Sequence, residues 1–87
     1  RDVKVMSRLP QEAFYAQLPW VRMPVGAYEV ILGEARPKGV RYLVVEEDIE
    51  KISPGFWETS RREDIIPVRE FKKKDQRVTI FELVEPR

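Results

Sequence analysis

The sequence predicts a small α/β domain with a mixed β-sheet, and three observations support this prediction. Short apolar runs alternate along the chain with segments of helical periodicity. One of these runs, residues 40–45, is apolar on both faces from Tyr42 onward, which is typical of a central strand covered by helices on each side. Two β-rich runs joined by a polar loop close the chain and indicate a C-terminal hairpin.

The first part of the chain predicts two strands, each followed by a helix. Residues 3–6 form the first strand, and Pro10 then begins a helix, because its missing N–H would be unpaired in the first turn anyway. Pro19 ends that helix, and residues 20–23 form a second strand. A second helix follows, with one apolar face formed at i, i+3, i+4 and i+7 by Tyr28, Ile31, Leu32 and Ala35.

The middle of the chain predicts a helix end, the central strand and a third, short helix. Pro37 would clash with a carbonyl in a continued helix, so we expect an irregular last turn there. Gly39 fits the left-handed position that commonly ends a helix. After the central strand, Ser53 and Pro54 indicate an N-cap and a first-turn proline for a helix over residues 55–60.

The tail predicts a hairpin of residues 65–71 and 78–84, joined by a loop over residues 72–76. Pro67 cannot donate a ladder hydrogen bond, which places the first of these strands at an edge. Residues 1–87 are thus expected to form one small three-layer α/β sandwich of element order β-α-β-α-β-α-β-β. Its mixed five-stranded sheet has the predicted order 2-1-3-5-4, with right-handed parallel crossovers in its first part.

Composition excludes several classes of chemistry. The 87 residues include no cysteine and no histidine. Disulfides, thiolate nucleophiles, Ser-His and Cys-His dyads and Cys/His zinc motifs are therefore excluded. Sixteen basic and fifteen acidic residues give a net charge of +1, which provides no overall field for nucleic acid. No segment approaches the roughly 18 consecutive apolar residues of a membrane helix.

Charged side chains are expected where two predicted strands end. Arg8 stands just before a helix N-terminus and could help to hold an anion, or it could pair with carboxylates of its own chain. Glu46, Glu47 and Asp48 follow the central strand, where ligands of open α/β sheets bind, and could hold a hard cation or form a solvated acidic turn. Neither group forms a recognised motif, so no catalytic, cofactor-binding or metal-ligating residue is assigned and no cofactor is expected.

Two further features are candidate interaction surfaces. Trp20 and Trp57 lie beside prolines or turns, and either belongs to the core or contributes to an exposed patch that contacts a partner or a membrane. Lys72, Lys73 and Lys74 lie at the predicted hairpin tip. They either contact anionic lipid headgroups or keep the turn soluble and discourage edge pairing.

One combination of segments goes beyond composition. The first strand runs into Ser7-Arg8-Leu9-Pro10, then Ala13-Phe14-Tyr15-Ala16; a later helix ends in Glu34-Ala35-Arg36 before Gly39-Val40-Arg41-Tyr42-Leu43-Val44-Val45. This combination resembles the C-terminal soluble region of bacterial integral-membrane glycosyltransferases, which are similar to dolichyl-phosphate-mannose–protein mannosyltransferases. The resemblance covers about residues 3–45, and Pro37 departs from it.

The resemblance implies a non-catalytic accessory domain on the extracytoplasmic, periplasmic face of the inner membrane, since the catalytic acids of such enzymes lie upstream near the membrane helices. Its expected partners are the membrane-embedded remainder of the same chain and, further, an acceptor substrate or lipid headgroups, but not nucleic acid. The start at Arg1-Asp2, with neither an initiator Met nor an apolar leader, agrees with a fragment of a larger membrane protein. The alternative is an independent small ligand-binding or regulatory α/β module.

Overall fold

The computed structural model describes residues 3–10 and 17–85, and it contains a five-stranded mixed sheet. The strand order is β2-β1-β3-β5-β4, which confirms the predicted order and the α/β class. β1 is parallel to both β2 and β3, whereas β5 is antiparallel to both β3 and β4. The strands are β1 (Lys4–Ser7), β2 (Trp20–Arg22), β3 (Val40–Glu46), β4 (Ile65–Lys73) and β5 (Gln76–Leu83).

Within residues 3–10 and 17–85, two α-helices and a 3₁₀ turn connect these strands. They are α1 (Tyr28–Ala35), the 3₁₀ turn Ile49–Lys51, and α2 (Phe56–Thr59). The helix predicted between Pro10 and Pro19 falls largely on residues 11–16, which lie outside the described residues. The outer layer that this helix would add to the predicted sandwich therefore stays a prediction.

Helix α1 forms where the apolar spacing predicts it, and all four residues of its predicted apolar face are buried. The helix ends at Ala35, two residues before Pro37, so the chain never forms the clash that a continued helix would produce. Residues 36–39 form a turn, in which Gly39 has φ 76°. A left-handed backbone at this position is the conformation that glycine adopts at no steric cost.

The main core lies on the sheet face that α1 and α2 cover, called here the first face. Met6, Leu43 and Phe81 of three neighbouring strands pack there with the buried residues of the helices. Tyr28 of α1 and Phe56 of α2 meet edge to face, with ring centroids 5.4 Å apart. This aromatic pair joins the two helices above the sheet and is a favourable geometry for aromatic rings.

The opposite side of the sheet, called here the second face, has a smaller core. Val5, Val44 and Val78 are buried there, one from each of the three middle strands. Around them pack the partly buried side chains Leu18, Trp20, Tyr42 and Ile80. β3 thus has apolar side chains on both faces, as its sequence predicts for a central strand.

The hairpin β4–β5 differs from its prediction at the turn. The loop expected over residues 72–76 is wrong, because Lys73 pairs with Gln76 and the turn contains only Lys74 and Asp75. Lys74 has φ 57°, a conformation that lysine rarely adopts and that the residue pattern does not signal. Pro67 lies in the edge strand as predicted, and a register shift between Pro67 and Arg69 leaves Val68 as an extra, bulged residue.

The predicted N-cap of the third helix is also wrong. α2 begins at Phe56, and its N-cap position is Gly55 with φ 78°. Ser53 instead accepts a hydrogen bond from the Phe56 N–H through its backbone carbonyl. Its side-chain oxygen is buried and has no hydrogen-bond partner within the described residues.

A cluster of polar groups ties α1 to the start of β4. The Tyr28 hydroxyl donates to Asp64 Oδ2 at 3.1 Å and accepts from the Arg61 N–H at 3.3 Å. Arg36 contacts Asp64 Oδ1 at 3.7 Å and donates to the Val84 carbonyl at 2.8 Å. Burial and, to a lesser extent, the hydrogen bond to Asp64 and its negative charge raise the pKa of the Tyr28 hydroxyl to about 12, against the lowering effect of the Arg61 N–H.

We predict that Tyr28→Phe weakens folding at neutral pH and that the difference from wild type shrinks in alkali. Loss of the hydroxyl removes two hydrogen bonds, which costs about 1–2 kcal/mol. In the wild type, the stability linked to the raised pKa is complete below the unfolded tyrosine pKa and is lost as pH rises toward about 12. Urea unfolding of both proteins from about pH 8 to about pH 12 measures the difference. A difference that stays constant over this range contradicts the prediction.

We predict that Ser53→Ala does not lower the free energy of unfolding. A serine N-cap would cost about 1 kcal/mol on replacement by alanine. Here the hydroxyl is buried without a partner among the described residues, so its removal relieves a desolvation cost. Urea unfolding measures the change, and Ser60→Ala at the C-cap of α2 is the matched control, because the Ser60 hydroxyl has a partner, the Trp57 carbonyl at 3.3 Å. A loss of about 1 kcal/mol for Ser53→Ala would restore the capping interpretation.

Candidate functional site

The predicted charged residues meet at the carboxyl ends of β1 and β3. Because these strands are parallel neighbours, the residues that follow them lie at the same edge of the sheet. Arg8 comes directly after β1, Glu46 is the last residue of β3, and Asp48 lies in the turn after it. The topology therefore brings together an arginine and two carboxylates that are about forty positions apart in the sequence.

Arg8 bridges the two carboxylates. Its Nη2 lies 3.4 Å from Glu46 Oε1 and its Nη1 lies 3.6 Å from Asp48 Oδ1. The side chains are 30%, 11% and 22% exposed for Arg8, Glu46 and Asp48. The two acceptor oxygens are themselves shielded from solvent, and within the described residues they make no closer hydrogen bond. We call this group the Arg8 clasp, and it consists of Arg8, Glu46 and Asp48.

Ser7 and Trp20 fix the backbone that carries Arg8. Ser7 is fully buried, and its hydroxyl donates to the Leu9 carbonyl at 2.7 Å. The Trp20 indole N–H lies 3.0 Å from the Ser7 hydroxyl oxygen and 3.2 Å from the Ser7 carbonyl. Trp20 is half-buried against the second-face core, and its ring lies 5.8 Å from the Arg22 guanidinium carbon. Trp20 thus helps to position the turn from which Arg8 extends.

Glu47 and Trp57, the other two candidate residues, are absent from the clasp. Glu47 exchanges hydrogen bonds with Arg77 of β5: its carboxylate accepts from the Arg77 N–H at 3.0 Å, and its own N–H donates to the Arg77 carbonyl at 2.9 Å. Trp57 is exposed, stands edge to face with Phe56 and lies 6.4 Å from the Phe81 ring. Glu47 and Trp57 share the lining of a pocket of about 320 Å³ with Glu70, Arg77 and Thr79.

The clasp favours structural ion pairing over catalysis or metal binding. A general acid–base pair needs two carboxyl groups in different environments, one of them free to exchange a proton with a substrate. Glu46 and Asp48 instead direct an oxygen each at the same guanidinium. Among the described residues no group of three or more acidic side chains is placed to hold a metal ion. Arg8 is likewise engaged by its own chain, as in one of the two interpretations of its sequence position.

A groove on the second face was not predicted from the sequence. Its volume is about 770 Å³. It extends from the central strands to the edge strand β4, and the described residues that line it are Val5, Leu18, Tyr42, Val44, Val68, Arg69, Phe71, Lys72, Lys73 and Ile80. The register places Arg69, Phe71 and Lys73 opposite Ile80, Val78 and Gln76 of β5, on the second face. We call this feature the second-face groove.

The bulge at Val68 explains why residue spacing conceals the groove. In a regular strand, Ile66 and Phe71 would point to opposite faces because they are five positions apart. The extra residue shifts the alternation, so that Ile66 pairs with Glu82 and Phe71 with Val78, both on the second face. The sequence does show apolar and basic residues mixed over positions 66–74. Strand alternation alone could not tell which of these side chains lie on the same face of the sheet.

Comparison with known proteins found no relative of this chain. No family model matches this chain, and no match was found among curated proteins or among solved structures. In the part of the chain that the structure describes, no helix is long and apolar enough to cross a membrane. The functional interpretation therefore depends on the clasp, the groove and the resemblance of the first 45 residues.

We predict that Arg8→Gln lowers the free energy of unfolding by about 1–3 kcal/mol, because it leaves two shielded carboxylate oxygens without their cation. Adding Glu46→Gln to this variant should recover part of the loss, since it removes the charge of Glu46, whereas Asp48 still has Lys51 Nζ at 3.7 Å. Guanidinium unfolding of the single and double variants measures both effects. Arg62→Gln is the matched control, because Arg62 is exposed and makes no ion pair within the described residues. Equal losses for Arg8→Gln and Arg62→Gln contradict a stabilising clasp.

Proposed function

We propose that this chain is a non-catalytic, extracytoplasmic accessory domain of a membrane glycosyltransferase that uses a lipid-linked sugar donor. The observation that carries the non-catalytic part is the Arg8 clasp. Ligands of open α/β sheets bind outside the carboxyl ends of the strands. In this chain that edge is occupied by Arg8, Glu46 and Asp48, and Lys51 Nζ, 3.7 Å from Asp48 Oδ2, balances the remaining negative charge. The edge is built to stabilise the sheet, and the chemistry belongs to another part of the parent protein.

The arrangement of the segments that resemble the glycosyltransferase region supports the assignment to that family. The segment ending in Ser7-Arg8-Leu9-Pro10 contains β1, and the segment over residues 39–45 contains most of β3. These strands are neighbours, with Val5 beside Tyr42 and Met6 beside Leu43. Two separate parts of the resemblance thus form one structural unit, the parallel strand pair that presents the clasp.

The principal test of this proposal is the gene region that precedes the codon for Arg1. A membrane glycosyltransferase should encode there several apolar segments of about 20 residues each, together with acidic residues in the loops between them. A gene that lacks such segments would refute the accessory-domain proposal. That result would favour the independent binding module.

A second test addresses the carboxyl edge directly. We predict that the isolated chain shows no saturable NMR shift changes at residues 46–48 when nucleotides, monosaccharides or divalent cations are added, because Arg8 already occupies the carboxylates. The Arg8→Gln variant, in which both carboxylates lose the guanidinium, is the matched comparison for cation binding. Saturable shifts of the wild-type edge would contradict the non-catalytic interpretation and favour a ligand-binding module.

A further inference from the structure

The outer part of the second-face groove combines exposed apolar side chains with basic ones. Val68 is 49% exposed and Phe71 is 40% exposed, both on the edge strand β4. Arg69, Lys72 and Lys73 line the same groove, and Lys74 follows in the turn. Large apolar side chains at a rim of cations are an unusual surface for a chain whose net charge is only +1.

We propose that the β4–β5 hairpin binds the surface of an anionic membrane through this side of the groove. In this arrangement Val68 and Phe71 enter the boundary between headgroups and acyl chains, while Arg69, Lys72 and Lys74 contact lipid phosphates. Interfacial binding of this kind depends on buried apolar area and on attraction to anionic lipids together. The hairpin supplies both within residues 68–74.

The local charge at the hairpin favours an anionic occupant. Arg77 is already paired with Glu70, with 2.7 Å between Nε and Oε2. Arg69, Lys72 and Lys74 make no ion pair within the described residues, and Asp75 is the one acidic residue between positions 71 and 76. Unpaired cations that lie beside apolar side chains are attracted to a negatively charged lipid surface within about one Debye length.

The same charges disfavour a second copy of the chain as the occupant. β4 is an edge strand, so a second β4 could add to it by backbone pairing. Pairing through residues 69–74 would bring four basic residues from each strand together against one glutamate from each. Like charges across paired strands are destabilising. The bulge at Val68 also interrupts the regular edge that such pairing requires.

This inference gives the accessory domain a membrane-facing side and in that respect rests on the proposed function. Vesicle binding can nevertheless be measured on the isolated chain, without sugar transfer. Failure to bind vesicles would refute membrane docking. The accessory-domain proposal would then still be tested separately by the gene region that precedes the codon for Arg1. If the gene encodes no upstream membrane segments but the chain binds vesicles strongly, the glycosyltransferase proposal is refuted and the membrane-docking inference is supported.

The experiment is co-sedimentation of the chain with vesicles of phosphatidylcholine alone and of phosphatidylcholine mixed with phosphatidylglycerol. We expect binding to the mixed vesicles and its progressive loss as salt is added. Replacing both Lys72 and Lys74 by glutamine should weaken binding roughly 25-fold at low salt, about fivefold for each cation. Phe71→Ser should weaken it at least about tenfold through loss of buried apolar area.

Matched controls come from the rest of the surface. Val25→Ser removes a more exposed apolar side chain outside the groove, and Arg62→Gln removes a cation outside the hairpin. Both should bind mixed vesicles as the wild type does, and circular dichroism verifies that every variant is folded. The proposal is overturned if mixed vesicles do not bind the chain, or if the controls lose as much binding as the hairpin variants. Tighter binding to an acidic peptide than to mixed vesicles, or a dimer lost on Phe71→Ser, would also overturn it.

Discussion

The parallel pairing of β1 with β3 is the interaction on which the rest of the structure depends. β1 has only four residues, yet it pairs with β2 on one side and β3 on the other. Met6 enters the first-face core and Val5 the second-face core, so this strand belongs to both. Its pairing with β3 also sets the distance between Arg8 and the acidic turn. The clasp therefore follows from the sheet topology, and it stabilises that topology in return.

Much of the fold could be predicted because its signals are local and redundant. The apolar stripe of α1 and the two apolar faces of β3 follow from residue spacing, and the missing N–H of Pro67 places β4 at the edge; the observed strand order agrees with all three. The two predictions that were wrong, the hairpin loop and the N-cap of the third helix, each depend on the backbone conformation of one or two residues. Lys74 adopts a left-handed conformation that its residue type disfavours, and Ser53, expected as an N-cap, is instead fully buried. Tertiary packing determines the conformation at such positions, and residue spacing does not predict it.

The candidate site was predictable in its parts but not in its arrangement. Arg8 and the residues around Glu46 were each expected where a strand ends, but whether they bind a ligand or each other depends on side-chain geometry. The second-face groove was even harder to predict from the sequence. A bulged residue is invisible in the sequence, and one such residue, Val68, reverses which face Phe71 occupies.

The near-neutral net charge of the chain conceals two unlike surfaces. At the carboxyl ends of β1 and β3, opposite charges lie within 3.4–3.6 Å of one another, so little field extends into solvent. At the hairpin, Arg69, Lys72 and Lys74 stand beside exposed apolar side chains without such compensation within the described residues. Desolvating the clasp further would gain little, because its charges already have partners. A membrane surface, which has lipid phosphates above an apolar interior, would pair with the hairpin cations and bury Phe71 at the same time. The hairpin, rather than the strand ends favoured by general α/β rules, is therefore the side of this domain best suited to contact something outside itself.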